Sequence, residues 1–290
     1  MSEGGQVNVG EMIMHHTGDA YSIEIDPFLH WSWSPDLFPT VHLGSLAINL
    51  TPTKHVVFMV LTAVLVFTVL KLAANGLARQ KAGERAPTGF AGMIEALVLW
   101  VRDDIAIANI GEEEGPTYAP LILTLFFFIL FANLFGLVPW GQSATGNLAV
   151  TAGLAVLVFL TVEIGGMRKL GFGGYMGTIF MQIPGMKGPA GTILAIALAP
   201  LEILGKLTKP FALAVRLFGN MTAGHFVILS LMGLIFMFGT LGMVSYGIGL
   251  VTATAVLGIM CLELIVAFLQ AYVFALLSSV FIGAMQHEHH

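Results

Sequence analysis

Long apolar runs separated by short polar breaks set the pattern of this chain. Residues 55–74 form the first run. It is long enough to cross a hydrocarbon core of about 30 Å as a helix. Residues 120–138 and 148–164 form two more runs of the same kind and are predicted as steep transmembrane helices. Residues 89–110 differ: apolar Met93, Leu97, Trp100, Val101 and Ile105 recur at helical spacing, interrupted by Glu95, Arg102, Asp103 and Asp104. That alternation predicts an amphipathic helix lying on the membrane surface.

From 191 to 285 the chain is apolar almost end to end. Its clearest turn is Phe238-Gly-Thr-Leu-Gly242, followed by Ser245, Gly247 and Gly249. Two long helices, 191–238 and 243–285, are therefore predicted as a hairpin. With about 40 residues or more, each is at least roughly 60 Å long at 1.5 Å per residue, far more than the bilayer thickness, so the pair must be tilted, bent or partly outside lipid. Pro200 and Pro210 are the expected bend points. The glycines at 171, 173, 174 and 177 match neither a dinucleotide fingerprint nor a P-loop. Residues 165–191 are read instead as a re-entrant or interfacial turn.

Composition agrees with a lipid environment. Of the 290 residues 57% are hydrophobic and only 10% charged, against about 25% charged in a soluble domain. Cys261 is the one cysteine. It excludes an intrachain disulfide or a multi-cysteine metal site and reads as a small core residue. Lys71, Arg79, Lys81 and Arg85 mark the cytoplasmic end of the first span, and Arg168 and Lys169 mark that of the third. The acidic arm, residues 1–50, is then outside and the C-terminus is cytoplasmic. Trp31 and Trp33 suggest an interfacial aromatic segment in that arm. The expected fold is all-α. It is a polytopic membrane protein with three steep transmembrane helices, an amphipathic cytoplasmic-surface helix and a C-terminal hairpin of two long tilted helices. Residues 51–290 form one membrane domain.

The charges inside the apolar block carry the chemistry. Glu202, Lys206, Lys209, Arg216, His225 and Glu263 stand there, with Asn220 and Gln270. Ionisable groups at membrane depth cost several kcal/mol and mark pathways or partners. Lys206 and Lys209 can snorkel to the interface. Arg216 is harder to explain in that way. Glu202, Lys209 and Arg216 are seven apart and share a helix face; so do Glu263 and Gln270. Levelling Arg216 with Gln270 centres the hairpin on residue 243, and levelling His225 with Glu263 centres it on 244. Both centres fall at the glycine-marked turn. The hairpin then offers an acid–imidazole pair towards the outside, Glu202 towards the inside, and between them an arginine that does not deprotonate in a protein.

The run Pro200 to His225, above all Arg216-Leu-Phe-Gly-Asn-Met, resembles the subunit a family of F-type ATP synthases, as do Glu263 and Gln270 in Leu264-Ile-Val-Ala-Phe-Leu-Gln270-Ala-Tyr. The resemblance extends from the first span to the end of the chain. It implies that Arg216 is a stator charge facing the carboxylates of a c-subunit ring and blocking proton leak, with Gln270 as its polar neighbour. It implies that His225 and Glu263 line an outer half-channel and Glu202 an inner one, with Asn220 and Lys209 as supporting polar lining. The implied partners are the c-ring, b-type peripheral stalk subunits, the remaining ATP synthase complex, the lipid bilayer and the translocated proton. The implied location is the energy-transducing inner (plasma) membrane of a bacterium. No cofactor, metal or nucleic acid is implied, and the subunit is non-catalytic.

Two other classes compete. A proton-coupled secondary transporter should show internal repeats and paired broken helices; no repeat is seen, and the polar residues concentrate in the last third. An intramembrane enzyme lacks HExxH and GxSxG motifs. The histidine tail at 287–290 is read as solvated rather than metal-binding.

Overall fold

The computed structural model describes residue 10 and residues 18–25, 29–43, 46–78, 89–138, 141–180, 189–238 and 242–287. Arg79, Lys81, Arg85, Pro184 and the tail from 288 lie outside the described residues. Among the described residues, five helices are long and apolar enough to cross a membrane. They are α1 (Lys54–Ala78), α4 (Gly115–Leu137), α5 (Leu148–Ile179), α6 (Pro189–Met237) and α7 (Met243–His287). Between α1 and α4 lies α2 (Phe90–Trp100), which continues through a π-helical segment, Val101–Ile107, into a short α3, Ala108–Ile110. The membrane portion is all-α, as its hydrophobic pattern requires.

The surface helix is amphipathic, with its stripe placed slightly differently from the sequence reading. Ile94, Val101, Ile105, Ala106 and Ile110 are buried, while Met93 is exposed. Arg102, Asp103 and Asp104 face outwards from the π segment. Arg102 Nε donates to Asp103 at 2.7 Å. That bond holds the Asp103 carboxyl below its usual range and raises the guanidinium.

Residues 165–179 correct an expectation. They form no turn but continue α5, which breaks at Gly171 with φ 69°. The other glycines there keep helical angles, since glycine weakens a helix without forbidding it. Pro200 and Pro210 sit inside α6, which runs for 49 residues, about 73 Å at helical rise. Gly242, with φ 60°, precedes α7. Cys261 is exposed on α7 and is no core residue.

The arm is more ordered than a tail. Strand β1 (Ser22–Ile25) pairs antiparallel with β2 (Leu29–Ser32), and β3 (Thr40–Leu43) with β4 (Leu46–Asn49). Polar and apolar residues alternate in Ser22-Ile-Glu-Ile and Thr40-Val-His-Leu, as a two-faced strand needs. The arm is bonded to the chain leading into α1. Trp33 Nε1 donates to the Pro52 carbonyl at 2.8 Å, and the Lys54 amide to Ala20 at 2.9 Å.

The chain forms two compact units. The first joins residues 1–68, 128–147 and 218–270. Its buried interior is unusually polar: His55, Asn133, Ser143, Thr145, Glu263 and Gln270. The second joins residues 69–127, 148–217 and 271–290. Its core is aromatic and aliphatic. Trp100 stacks on Tyr272 at 5.6 Å and meets Phe126 edge-on at 6.0 Å, and Phe127, Phe274 and Ile282 are buried. Gly283 of α7 lies against the Asn109 carbonyl with no room for a Cβ.

Candidate functional site

Within the first unit, α6 and α7 run antiparallel and bring two pairs of polar residues together. Asn220 Nδ2 donates to Gln270 Oε1 at 2.8 Å. One turn further along α6, Gly224 lies directly over the carboxyl of Glu263, and a Cβ at that position would overlap it. Only glycine lets the acid sit against the neighbouring backbone. His225 follows Gly224, and its Nδ1 lies 3.1 Å from the Met221 carbonyl. That contact fixes the ring and assigns Nδ1 as the donor.

His225 and Glu263 line one cavity of about 240 Å³, with Gly136, Gly141, Ile228, Val256 and Met260 among the other walls. Both carboxyl oxygens of Glu263 are buried without a hydrogen-bond partner among the described residues. A buried acceptor with no donor is costly, and the cavity is where water can supply one; its volume admits several molecules. Gly136 is what keeps the cavity open. A side chain there would strike Met221 and the His225 ring.

Gln270 is also buried, and its Nε2 has no partner among the described residues. The sequence reading levelled Gln270 with Arg216. Its recorded partner is Asn220, one helical turn nearer the loop. Arg216 and Asn220, four apart on α6, are both exposed. Among the described residues Arg216 forms no hydrogen bond or ion pair. Its neighbours on α6 include the exposed apolar side chains of Phe211 and Val215.

In the second unit a cavity of about 50 Å³ is lined by Glu163, Glu202, Lys206, Lys209 and Phe281. Glu163 is buried and accepts a hydrogen bond from the Tyr175 hydroxyl. Lys206 Nζ sits 4.6 Å from the Tyr175 ring centroid and donates to Thr178 Oγ1 at 2.9 Å. Lys209 Nζ sits 5.7 Å from the Phe281 ring centroid. Glu163 was not singled out from the sequence. The signal was present, since it is the only acid in the 148–164 run. What revealed it was α5 continuing past that run and folding Tyr175 back onto it.

Among the described residues no group of histidine, cysteine and acidic side chains could hold a metal ion.

Comparison with known proteins identifies the family. The family model of the ATP synthase A chain matches residues 56–283. The chain is 45% identical over 289 residues to ATP synthase subunit a of Anaeromyxobacter dehalogenans, covering 97% of this chain and 71% of that protein. It is 46% identical over 246 residues to the Myxococcus xanthus subunit a, covering 83% and 76%. It is 41% identical over 280 residues to that of Chloroherpeton thalassium, covering 96% and 77%. A match over most of the chain, on top of five helices long and apolar enough to span a membrane and a polar pair bonded between the last two, places this chain in the subunit a family of the ATP synthase membrane sector.

Proposed function

We propose that this chain carries protons through two offset half-channels, with Arg216 as the fixed charge between them. As a family member it is the proton-translocating, non-catalytic stator subunit of the membrane sector. The observation that carries the residue-level reading is the state of Arg216. It is a permanent cation, exposed on a long apolar helix, with no partner among the described residues. Such a charge at membrane depth calls for a counter-charge, and here that charge comes from another chain. Carboxylates on a rotating c-ring supply it one at a time. Arginine suits the task because it holds its proton when desolvated, whereas lysine loses its own.

Glu263 and His225 serve the outer half-channel, since the cavity they share reaches a buried carboxyl that has no donor among the described residues. Glu202, joined by Glu163, serves the inner one. Asn220 and Gln270 hold the hairpin beside Arg216, and Lys209 lines the inner cavity. The acid–imidazole pair favours protons over sodium as the carried ion. The arm lies outside and the C-terminus in the cytoplasm of a bacterial plasma membrane. The b-type peripheral stalk and the remaining complex hold the chain against the ring.

The test is Arg216→Ala and Arg216→Lys in membranes that retain the assembled complex. Both should abolish ATP-driven proton pumping and coupled ATP synthesis. Pumping at the normal rate in Arg216→Ala would overturn the reading.

A further inference from the structure

The first unit contains a second set of proton-bearing groups. His55, at the start of α1, is 2% exposed. Its Nδ1 lies 2.9 Å from Asp19 Oδ1 on the arm. Its Nε2 lies 3.1 Å from the side-chain amide of Gln142, in the connection between α4 and α5. Asp19 is half-exposed and is also reached by Asn147 Nδ2 at 3.4 Å. One imidazole is therefore held between a carboxylate open to solvent and a carboxamide inside the protein. Asp19 is the charged group bonded to it. Lys54, its neighbour in the chain, is buried.

The chain on both sides of Gln142 adjoins the cavity. Gly141, on one side of it, lines the wall shared with His225 and Glu263. Ser143, on the other, packs against Gly136 in the same wall. From Ser143 a buried chain of bonds continues through Thr145 at 2.6 Å to Asn133, also at 2.6 Å. Asn133 donates at 3.4 Å to the carbonyl of Ala267, one turn beyond Glu263 on α7.

The chemistry of the three side chains is that of a proton relay. A carboxylate only accepts, so Nδ1 carries a hydrogen. With the Gln142 NH₂ towards it, Nε2 is the unprotonated acceptor. Rotating the amide by half a turn presents its oxygen instead, and Nε2 then holds a proton as an imidazolium between two acceptors. His55 can thus take up one proton and give up one proton without leaving either nitrogen unbonded.

We propose that Asp19, His55 and Gln142 form a proton-collecting site. In it the arm gathers protons from the outer solution and passes them to the cavity that serves His225 and Glu263. Each transfer is balanced: with the ring hydrogen on Nε2, a proton from outer water binds the half-exposed Asp19 carboxylate and moves to His55 Nδ1, and the imidazolium then gives its Nε2 proton, on the Gln142 side, to water in the cavity, from which Glu263 takes it. This inference rests on the outer half-channel reading above.

The experiment uses the whole complex in vesicles and measures ATP synthesis at constant total driving force while the pH on the arm side is varied. His55→Gln keeps a donor and an acceptor but cannot carry a proton. It should slow synthesis by roughly tenfold at alkaline arm-side pH, where free protons are scarce, and approach the parent rate at acidic pH. Asp19→Asn, on the half-exposed arm and less demanding of the fold, should show the same alkaline-selective loss. It decides the matter if His55→Gln fails to assemble. An equal loss at every pH means a purely structural contact and overturns the inference, as does an unchanged rate. Arg216→Ala is assayed alongside. If it still synthesises ATP, the half-channel reading itself fails; if it is inactive while His55→Gln and Asp19→Asn match the parent, only the collecting site fails.

Discussion

The carboxamide of Asn220 donates to that of Gln270 across 2.8 Å, bridging α6 and α7 between residues 50 positions apart in the chain. Gln270 is buried, and its own NH₂ has no partner among the described residues. The bond therefore sets which way the Gln270 amide faces, with its oxygen towards Asn220.

A double-mutant cycle measures that bond. Asn220→Leu and Gln270→Leu are each expected to slow ATP-driven pumping. Their interaction should be about 1 kcal/mol, the usual net value of one hydrogen bond. Strictly additive effects would show that the two amides act separately.

Gly224 is expected to be irreplaceable for a local reason. In Gly224→Ala the new Cβ occupies the space of the Glu263 carboxyl. Displacing a transfer group by about 1 Å costs up to about a hundredfold in rate. Shortening the acid should restore room, so Gly224→Ala combined with Glu263→Asp is expected to pump faster than Gly224→Ala alone. Absence of any such suppression would mean that the glycine matters for another reason.

The inner cavity makes a prediction for a residue first noticed in the structure. Glu163→Gln, like Glu202→Gln, should slow pumping by roughly tenfold while the complex remains assembled. Cysteines placed at 163 and 202 should both react with a small thiol reagent applied from the cytoplasmic side. A Glu163→Gln complex with unchanged pumping would confine the inner path to Glu202.

Two glycines on α7 should behave oppositely towards substitution. A Cβ at Gly283 meets the Asn109 carbonyl and the Ile110 backbone, whereas a Cβ at Gly258 meets nothing within 4 Å. Gly283→Val is expected to destabilise by about 1–3 kcal/mol through overpacking. Gly258→Ala should be neutral or stabilising by up to about 1 kcal/mol, the helix-interior preference for alanine. Thermal unfolding of the purified complex, followed by release of the subunit, separates the two.

Much of this molecule was legible along the chain. Apolar runs of bilayer length predicted the spans, because the hydrocarbon core dictates helix length directly. The glycines near 242 and the seven-residue spacing of the charges predicted a hairpin with Glu263 and His225 facing each other across it. Arg216 stood out because a cation in an apolar run has so few benign explanations. Periodicity is a local property of one helix, however, and it resolves depth only to within a turn. Residues 216 and 220 share a face, so spacing alone could not choose between them as the partner of Gln270; side-chain packing chose Asn220. Glu163 gained its place only when α5 ran on past Gly171 and carried Tyr175 back to it. The arm read as acidic, with an interfacial aromatic segment; only the structure set its Asp19 against His55, 36 positions away, and the α4–α5 connection brought in Gln142, 87 positions beyond His55. Which residues enter lipid is fixed by transfer energies summed along the chain; which polar groups meet there is fixed by the helix faces that pack, and that is decided only in three dimensions.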